Sequence, residues 1–136
     1  MDEKKKRETA FIIRQEEVAK NIFSMWINTP SSQIAKPGQF LNLFCHDGSR
    51  LMPRPISICE IDRLRGSLRI VYRVSGEGTR EFSKLSSGET IDFIGPLGNG
   101  FPIDIPQKDA MIIGGGIGIP PMLELAKEFP HSCKIV

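Results

Sequence analysis

Cysteine is scarce in this sequence and poorly spaced for any framework. Cys45, Cys59 and Cys133 are an odd number, far apart, and each sits in an apolar run. They form neither a disulfide scaffold nor the close pairs of a zinc or iron–sulfur site, so buried reduced thiols are expected. A surplus of one charge is also missing: 18 lysines and arginines against 16 acids leave +2, too little to argue for a nucleic-acid or membrane partner. No long apolar stretch follows the charged opening, so no signal peptide is expected. The longest apolar tract, AMIIGGGIGIPPML, is shorter than the roughly 18 residues of a membrane span and is broken by glycine and proline. A cytoplasmic location is the default expectation. The one charge run, DEKKKR at residues 2–7, mixes both signs and reads as part of a solvated tail over residues 1–8.

What is present fits a globular chain. Its 136 residues, 40% hydrophobic and 25% charged, suffice for one domain with a real core and fall short of two complete ones. TAFIIRQEEV and NIFSMWIN read as two strands turning near residues 19–21, rich in β-branched and aromatic residues and free of glycine and proline. TPSSQIAKPG is a loop, QFLNLFC a third strand, HDGSRLMPRP a second loop and ISICEI a fourth strand. Residues 67–75 alternate cleanly, with Leu68, Ile70, Tyr72 and Val74 on one face and Ser67, Arg69, Arg73 and Ser75 on the other. A short helix over 79–85 and a sixth strand at TIDFIG complete the pattern of a mainly β, six-stranded antiparallel Greek-key barrel.

The pattern changes after PLGNGFPIDIPQKD. AMII at 110–113 is apolar without alternation, as in a strand covered on both faces. GGGIG follows, then a helix over 119–129 with Met122, Leu125, Ala126 and Phe129 on one stripe and Pro120 and Pro121 in its first turn. A new strand begins at CKIV. This is an incomplete α/β nucleotide-binding unit, so residues 1–100 are expected to form the barrel and 101–136 a linker and the first βαβ portion.

Three features carry chemistry. Pro53 and Pro55 hold Met52 and Arg54 extended, which presents the guanidinium from a stiff mount suited to a bidentate anion such as phosphate; a plain surface arginine is the alternative. Ser57 can turn its hydroxyl to a ligand or to solvent. GEGT at 76–79 places glycines ahead of a helix start with free N–H groups, and Thr79 can cap that helix or bond a phosphate. GGGIGIPP after a buried strand permits, through Gly114, Gly115 and Gly116, a tight turn and close approach to a dinucleotide. It departs from G-x-G-x-x-G, because Ile119 stands at the third glycine position.

PGQFLNL, RPISI, YRVSGEGT, GPLGNGF and IGGGIGIPPM occur in the order found in the ferredoxin-reductase superfamily. From about residue 9 the chain most resembles the electron-transfer subunits of class B dihydroorotate dehydrogenases. RPIS resembles the superfamily's Arg-x-Tyr-Ser motif. The resemblance implies that Arg54, carried on Pro55, holds the pyrophosphate of FAD and Ser57 meets the isoalloxazine, with Ile56 in place of the stacking tyrosine. It further implies that Val71, Tyr72 and Arg73 lie along the flavin and ribityl chain, that Gly78 and Thr79 hold the pyrophosphate, and that Gly114, Gly115 and Gly116 face the nicotinamide nucleotide. No catalytic acid, base or nucleophile and no metal ligand is named. In the intact protein the implied path runs from NADH to FAD, to a [2Fe-2S] cluster, and to the FMN of a partner subunit that interconverts dihydroorotate and orotate in pyrimidine biosynthesis. The cluster's cysteines and the rest of the nucleotide domain lie outside this sequence, so a fragment is expected, with self-association through its unfinished sheet. The related flavoprotein subunit of an NADH-dependent ferredoxin:NADP oxidoreductase or sulfide dehydrogenase is the first alternative. A barrel interaction module without cofactor is the second.

Overall fold

The computed structural model describes residues 6–49, 51–104, 109–129 and 133–136. Six strands form the barrel: β1 (Glu8–Ala19), β2 (Ile22–Asn28), β3 (Phe40–Phe44), β4 (Arg54–Asp62), β5 (Ser67–Arg73) and β6 (Thr90–Leu97). All pairings are antiparallel in the order β1-β2-β5-β4-β3-β6, and β6 pairs back on β1 to close it. Strands β3, β4 and β5 are consecutive neighbours and β2 lies beside β5, which is the Greek-key arrangement expected from the sequence.

Alternation builds the interior. Ile12, Met25, Ile27, Leu41, Leu43, Ile58, Leu68, Ile70, Ile91 and Phe93 come from all six strands and are essentially without solvent contact. Each such side chain contributes on the order of 1.5–3 kcal/mol of burial free energy. One end is sealed by α1 (Glu77–Ser83), in the β5–β6 crossover, whose Phe82 meets Tyr72 edge-on at 6.2 Å while Phe23 stacks on Tyr72 at 5.9 Å. The Tyr72 hydroxyl donates to Gln15 Oε1 at 2.6 Å, and Gln15 Nε2 donates to the carbonyls of Phe82 and Leu85, so β1, β5 and α1 are tied together.

Beyond the barrel, β7 (Ala110–Ile112) pairs in parallel with β8 (Cys133–Ile135), and α2 (Met122–Lys127) lies between them in sequence. Strand, helix and strand thus form a small parallel βαβ unit.

The structure shifts several local expectations. The end of the charged opening is not simply solvated: Arg7 bonds Asp92 at 2.8 Å and lies 4.3 Å over the Phe44 ring, and Glu8 opens β1. Thr29 and Ser31 donate to the Glu8 carboxylate at 2.9 and 2.8 Å, and Glu8 is paired with Phe93 of β6. Residues 1–5 lie outside the described residues, as do residues 105–108 of the linker. Ser67, expected on the polar face, is buried where β5 begins between Asn28 and Asp62. Helix α1 begins at Glu77 rather than residue 79, because the Thr79 hydroxyl accepts the N–H groups of Ser75 and Gly76 and so caps the turn from inside. Of the helix expected over 119–129, only Met122–Lys127 is α-helical; Pro121 is its N-cap and Gly116–Gly118 form a 3-10 turn. Cys45 and Cys59 are both buried, and burial pushes the Cys59 thiol up from its ordinary range. The side chain of Cys133 lies outside the described residues.

Candidate functional site

The cleft exists because two strands part. The β4–β5 ladder runs from Asp62↔Ser67 to Ile58↔Ile70 and stops there. Beyond it β4 pairs with β3 on its far side, from Ser57↔Phe40 to Arg54↔Leu43, and β5 pairs with β2 through Arg73↔Ile22. Pro55 has no N–H to offer across the gap. Residues 54–57 and 71–73 thus face one another without pairing and enclose a groove of about 400 Å³, lined by Arg54, Pro55, Ile56, Ser57, Val71, Tyr72, Arg73, Ser75, Thr79 and Ile117.

The two arginines set its electrostatics. Among the described residues the Arg54 guanidinium has one hydrogen-bond partner, the Met52 carbonyl at 2.9 Å, and no carboxylate. A methyl group on Gly78 would stand 2.6 Å from Arg54 Nε, so only glycine lets the guanidinium lie against the first turn of α1. The N–H groups of Gly78 and Thr79 belong to that first turn, where no intrahelical carbonyl is available to them. Arg73 is exposed at the end of β5 and bonds no carboxylate among the described residues. Two uncompensated cations in one groove favour an anionic ligand.

Not every expected residue offers the cleft its side chain. The ring of Tyr72 is 1% exposed and belongs to the core, where burial pushes its hydroxyl well above the ordinary phenol range; what it leaves to the groove is main chain. Thr79 is buried and its hydroxyl is committed to the cap, donating to the Gly76 carbonyl at 3.2 Å while accepting two N–H groups. Val71 and Ile56 supply apolar wall, and Ser57 is half-buried with no hydrogen bond from its hydroxyl among the described residues. Gly114, Gly115 and Gly116 do not line the groove. Gly116 adopts φ +56°, and a methyl group on it would stand 4.0 Å from Arg73 Nη2, so the turn passes beside the groove.

Sequence reasoning missed Ile117, which closes the groove from the side of the βαβ unit, and Ser75. It also missed a polar seam between α2 and β4. Glu124 Oε1 accepts the Ile61 N–H at 2.7 Å, Lys127 Nζ reaches Glu60 at 3.2 Å and Glu124 at 3.4 Å, Arg69 holds Glu60 at 3.0 Å, and Ser24 accepts from Arg69 at 2.8 Å. Burial works against the Lys127 charge, yet its hydrogen bond to Glu60 and the Glu124 charge raise it above the usual lysine range. No sequence signal marks these residues, because the seam exists only once α2 docks on the barrel.

A diphosphate-linked flavin suits this chemistry: free guanidinium groups for its charge, a glycine whose missing side chain leaves the guanidinium its place, and apolar walls beside a free hydroxyl. A Greek-key barrel with a basic groove between splayed strands defines a reductase-type flavin-binding barrel. Over residues 9–101 the sequence matches the oxidoreductase FAD-binding domain family, and the chain belongs to that family. It is 48% identical over 123 residues to the electron transfer subunit of dihydroorotate dehydrogenase B (NAD(+)) from Listeria monocytogenes, covering 89% of this chain and 48% of that one. The subunit of the same name from Streptococcus pneumoniae is 44% identical over 123 residues, with the same coverage of both. The chain therefore spans about half the length of these curated relatives. Among solved structures, an NADH-dependent reduced ferredoxin–NADP oxidoreductase superposes with a TM-score of 0.82 at 32% identity, over 93% of this chain and 46% of that one. Phthalate dioxygenase reductase superposes with a TM-score of 0.78 at 25% identity, over 95% and 42%.

Proposed function

We propose that the chain is the flavin-binding part of an electron-transfer subunit, holding FAD in the groove between β4 and β5 and, in the intact protein, passing electrons between NADH and a partner dehydrogenase. The observation that carries this reading is Arg54, stiffly mounted, free of any carboxylate among the described residues, and seated against Gly78 at the start of α1. When bound, the isoalloxazine supplies the redox chemistry. The chain binds and orients it. Arg54 and Arg73 supply positive charge to the diphosphate, the main-chain N–H groups of Gly78 and Thr79 supply donors beside it, and Pro55 keeps the mount straight. Ile56 and Val71 give the ring apolar contact, Ser57 offers its edge a hydrogen bond, and Tyr72 presents main chain from a ring fixed in the core. The turn at Gly114, Gly115 and Gly116 is assigned to the approach of the nicotinamide nucleotide, NAD(H).

The names of the Listeria and Streptococcus relatives support a dihydroorotate dehydrogenase partner, which this reading takes to be the FMN-containing catalytic subunit in the cytoplasm, with a [2Fe-2S] cluster held elsewhere in the intact protein. A second reading, a subunit of an NADH-dependent ferredoxin:NADP oxidoreductase, is favoured by the solved structure at TM-score 0.82. Co-purification with an FMN-containing partner that oxidises dihydroorotate separates the two.

The direct test is flavin retention. After incubation with FAD and desalting, the chain is expected to keep the yellow flavin absorbance. Arg54→Ala is expected to weaken FAD binding roughly 10- to 100-fold, the range of about 1.5–3 kcal/mol for charge-assisted hydrogen bonds. A chain that emerges colourless, or an Arg54→Ala variant with unaltered affinity, overturns the reading.

A further inference from the structure

We propose that Glu124 is a positioning residue for the cleft: it fastens α2 to the bare edge of β4, and through the turn leading into α2 it sets where Gly116 and Ile117 stand beside the groove. The proposal rests on the groove being the flavin site.

The edge comes first. Strand β3 covers β4 only from Arg54 to Ser57, and the Ile58 N–H goes to the Gln39 carbonyl at 3.0 Å. Past that point the β3 side of β4 has no strand, and the Ile61 N–H is an edge donor. Glu124 Oε1 accepts it at 2.7 Å, so one carboxylate does there what a neighbouring strand does elsewhere. Glutamate is almost never this buried unless paired, and Glu124 is 8% exposed. Its partners are the Ile61 N–H and Lys127, and Lys127 ties on through Glu60 and Arg69 to Ser24 on β2. The fastening therefore reaches three barrel strands.

Transmission comes next. From Gly115 to α2 the backbone is a run of short-range bonds: Gly118 N–H to Gly115 at 3.0 Å, Ile119 to Gly116 at 3.2 Å, Met122 to Ile119 at 2.9 Å and Leu123 to Pro120 at 3.2 Å. Pro120 and Pro121 fix φ within that run. A methyl group on Gly114 would stand 3.2 Å from Met122 Cγ, so the start of the turn is packed on the helix as well. These contacts join turn and helix into one packed unit. Its far end carries Ile117, which lines the groove, and Gly116, beside Arg73. Release of Glu124 frees the lever at its only hydrogen bond to the β4 main chain among the described residues.

The test is hydrogen–deuterium exchange on the full chain, with and without FAD, together with the visible circular dichroism of the bound flavin. Glu124→Ala is expected to speed exchange about tenfold or more at residues 58–62 and 114–121 while residues 22–28 of the barrel stay protected. It should also change the flavin band. Glu124→Gln, which keeps the acceptor, is expected to return exchange to within about threefold of wild type and to restore the band. Faster exchange at 58–62 with an unchanged turn and an unchanged band overturns the proposal, because Glu124 then caps an edge and positions nothing. If Glu124→Ala also exposes residues 22–28, Lys127→Met decides on the same readouts: a loosened turn on an intact barrel upholds the proposal, and an unaltered turn overturns it. A wild-type chain that keeps no flavin removes the flavin reading, while exchange without FAD still decides whether Glu124 holds the turn.

Discussion

At the scale of single residues, Gly78 separates binding from folding. Its backbone is not in the left-handed region, and the atom a new methyl group would meet is the Arg54 Nε at 2.6 Å, part of a long side chain that can swing away. Gly78→Ala is therefore expected to change stability by less than about 1 kcal/mol, since alanine is the better helix former. FAD affinity should nevertheless drop about tenfold or more, because the guanidinium loses its place. Fluorescence titration with FAD beside a urea melt checks both halves. Tyr72 is the converse. Its hydroxyl bonds Gln15, so Tyr72→Phe leaves a part-buried amide oxygen without that partner and is expected to cost about 0.5–1.5 kcal/mol. The ring stays in the core, so flavin affinity should not move. A loss of affinity without loss of stability in Tyr72→Phe would show that the hydroxyl reaches the ligand after all.

At the scale of elements, the strands were legible because alternation fixes which side of each faces the core, and Leu68, Ile70 and Tyr72 show it. The RPIS and GEGT segments stood out because proline and glycine act on the backbone locally, and the groove draws its lining from both, while Gly114, Gly115 and Gly116 stay outside that lining. What stayed hidden is tertiary. The parting of β4 from β5 at Ile58↔Ile70, the entry of Ile117 into the groove and the docking of α2 depend on which surfaces meet, and a periodic pattern carries none of that. The helix shows this most clearly. Its stripe of Met122, Leu125, Ala126 and Phe129 is only half-buried, while the best-covered residue is Glu124, a charge. The seam it makes has a pH signature. The folded Lys127 titrates above its unfolded value, so its contribution is fully present below about pH 10.4 and fades as pH rises through the folded value. The groups facing it are Glu60 and Glu124, with Arg69 behind Glu60. Proteolysis at residues 114–127 is expected to accelerate as pH rises above about 10.4, and Lys127→Met should flatten that rise. An equally steep rise in the variant would assign the alkaline loosening to another group.

At the scale of the whole molecule, the two units are built to different degrees of closure. The barrel pairs every strand on both sides over part of its length and leaves few apolar side chains exposed around its groove. The βαβ unit has a sheet of two short strands, and Met111, Ile113, Ile135 and Val136 on it are each more than 60% exposed. A two-stranded sheet is marginal on its own, and clustered apolar exposure of this kind favours association. The 136-residue chain is therefore expected to self-associate through β7 and β8, with light scattering giving a mass above 15.2 kDa that rises with concentration. Paired substitution of Met111→Lys and Ile113→Lys puts charge on that surface without touching Arg54, Gly78 or Ile117. It should return the chain to a monomer with its FAD affinity intact, since the groove is walled almost wholly by the barrel. A monomeric wild-type chain at every concentration would show that these side chains find cover within one molecule. Loss of flavin on disruption of the assembly would place the association surface against the groove instead of on the sheet.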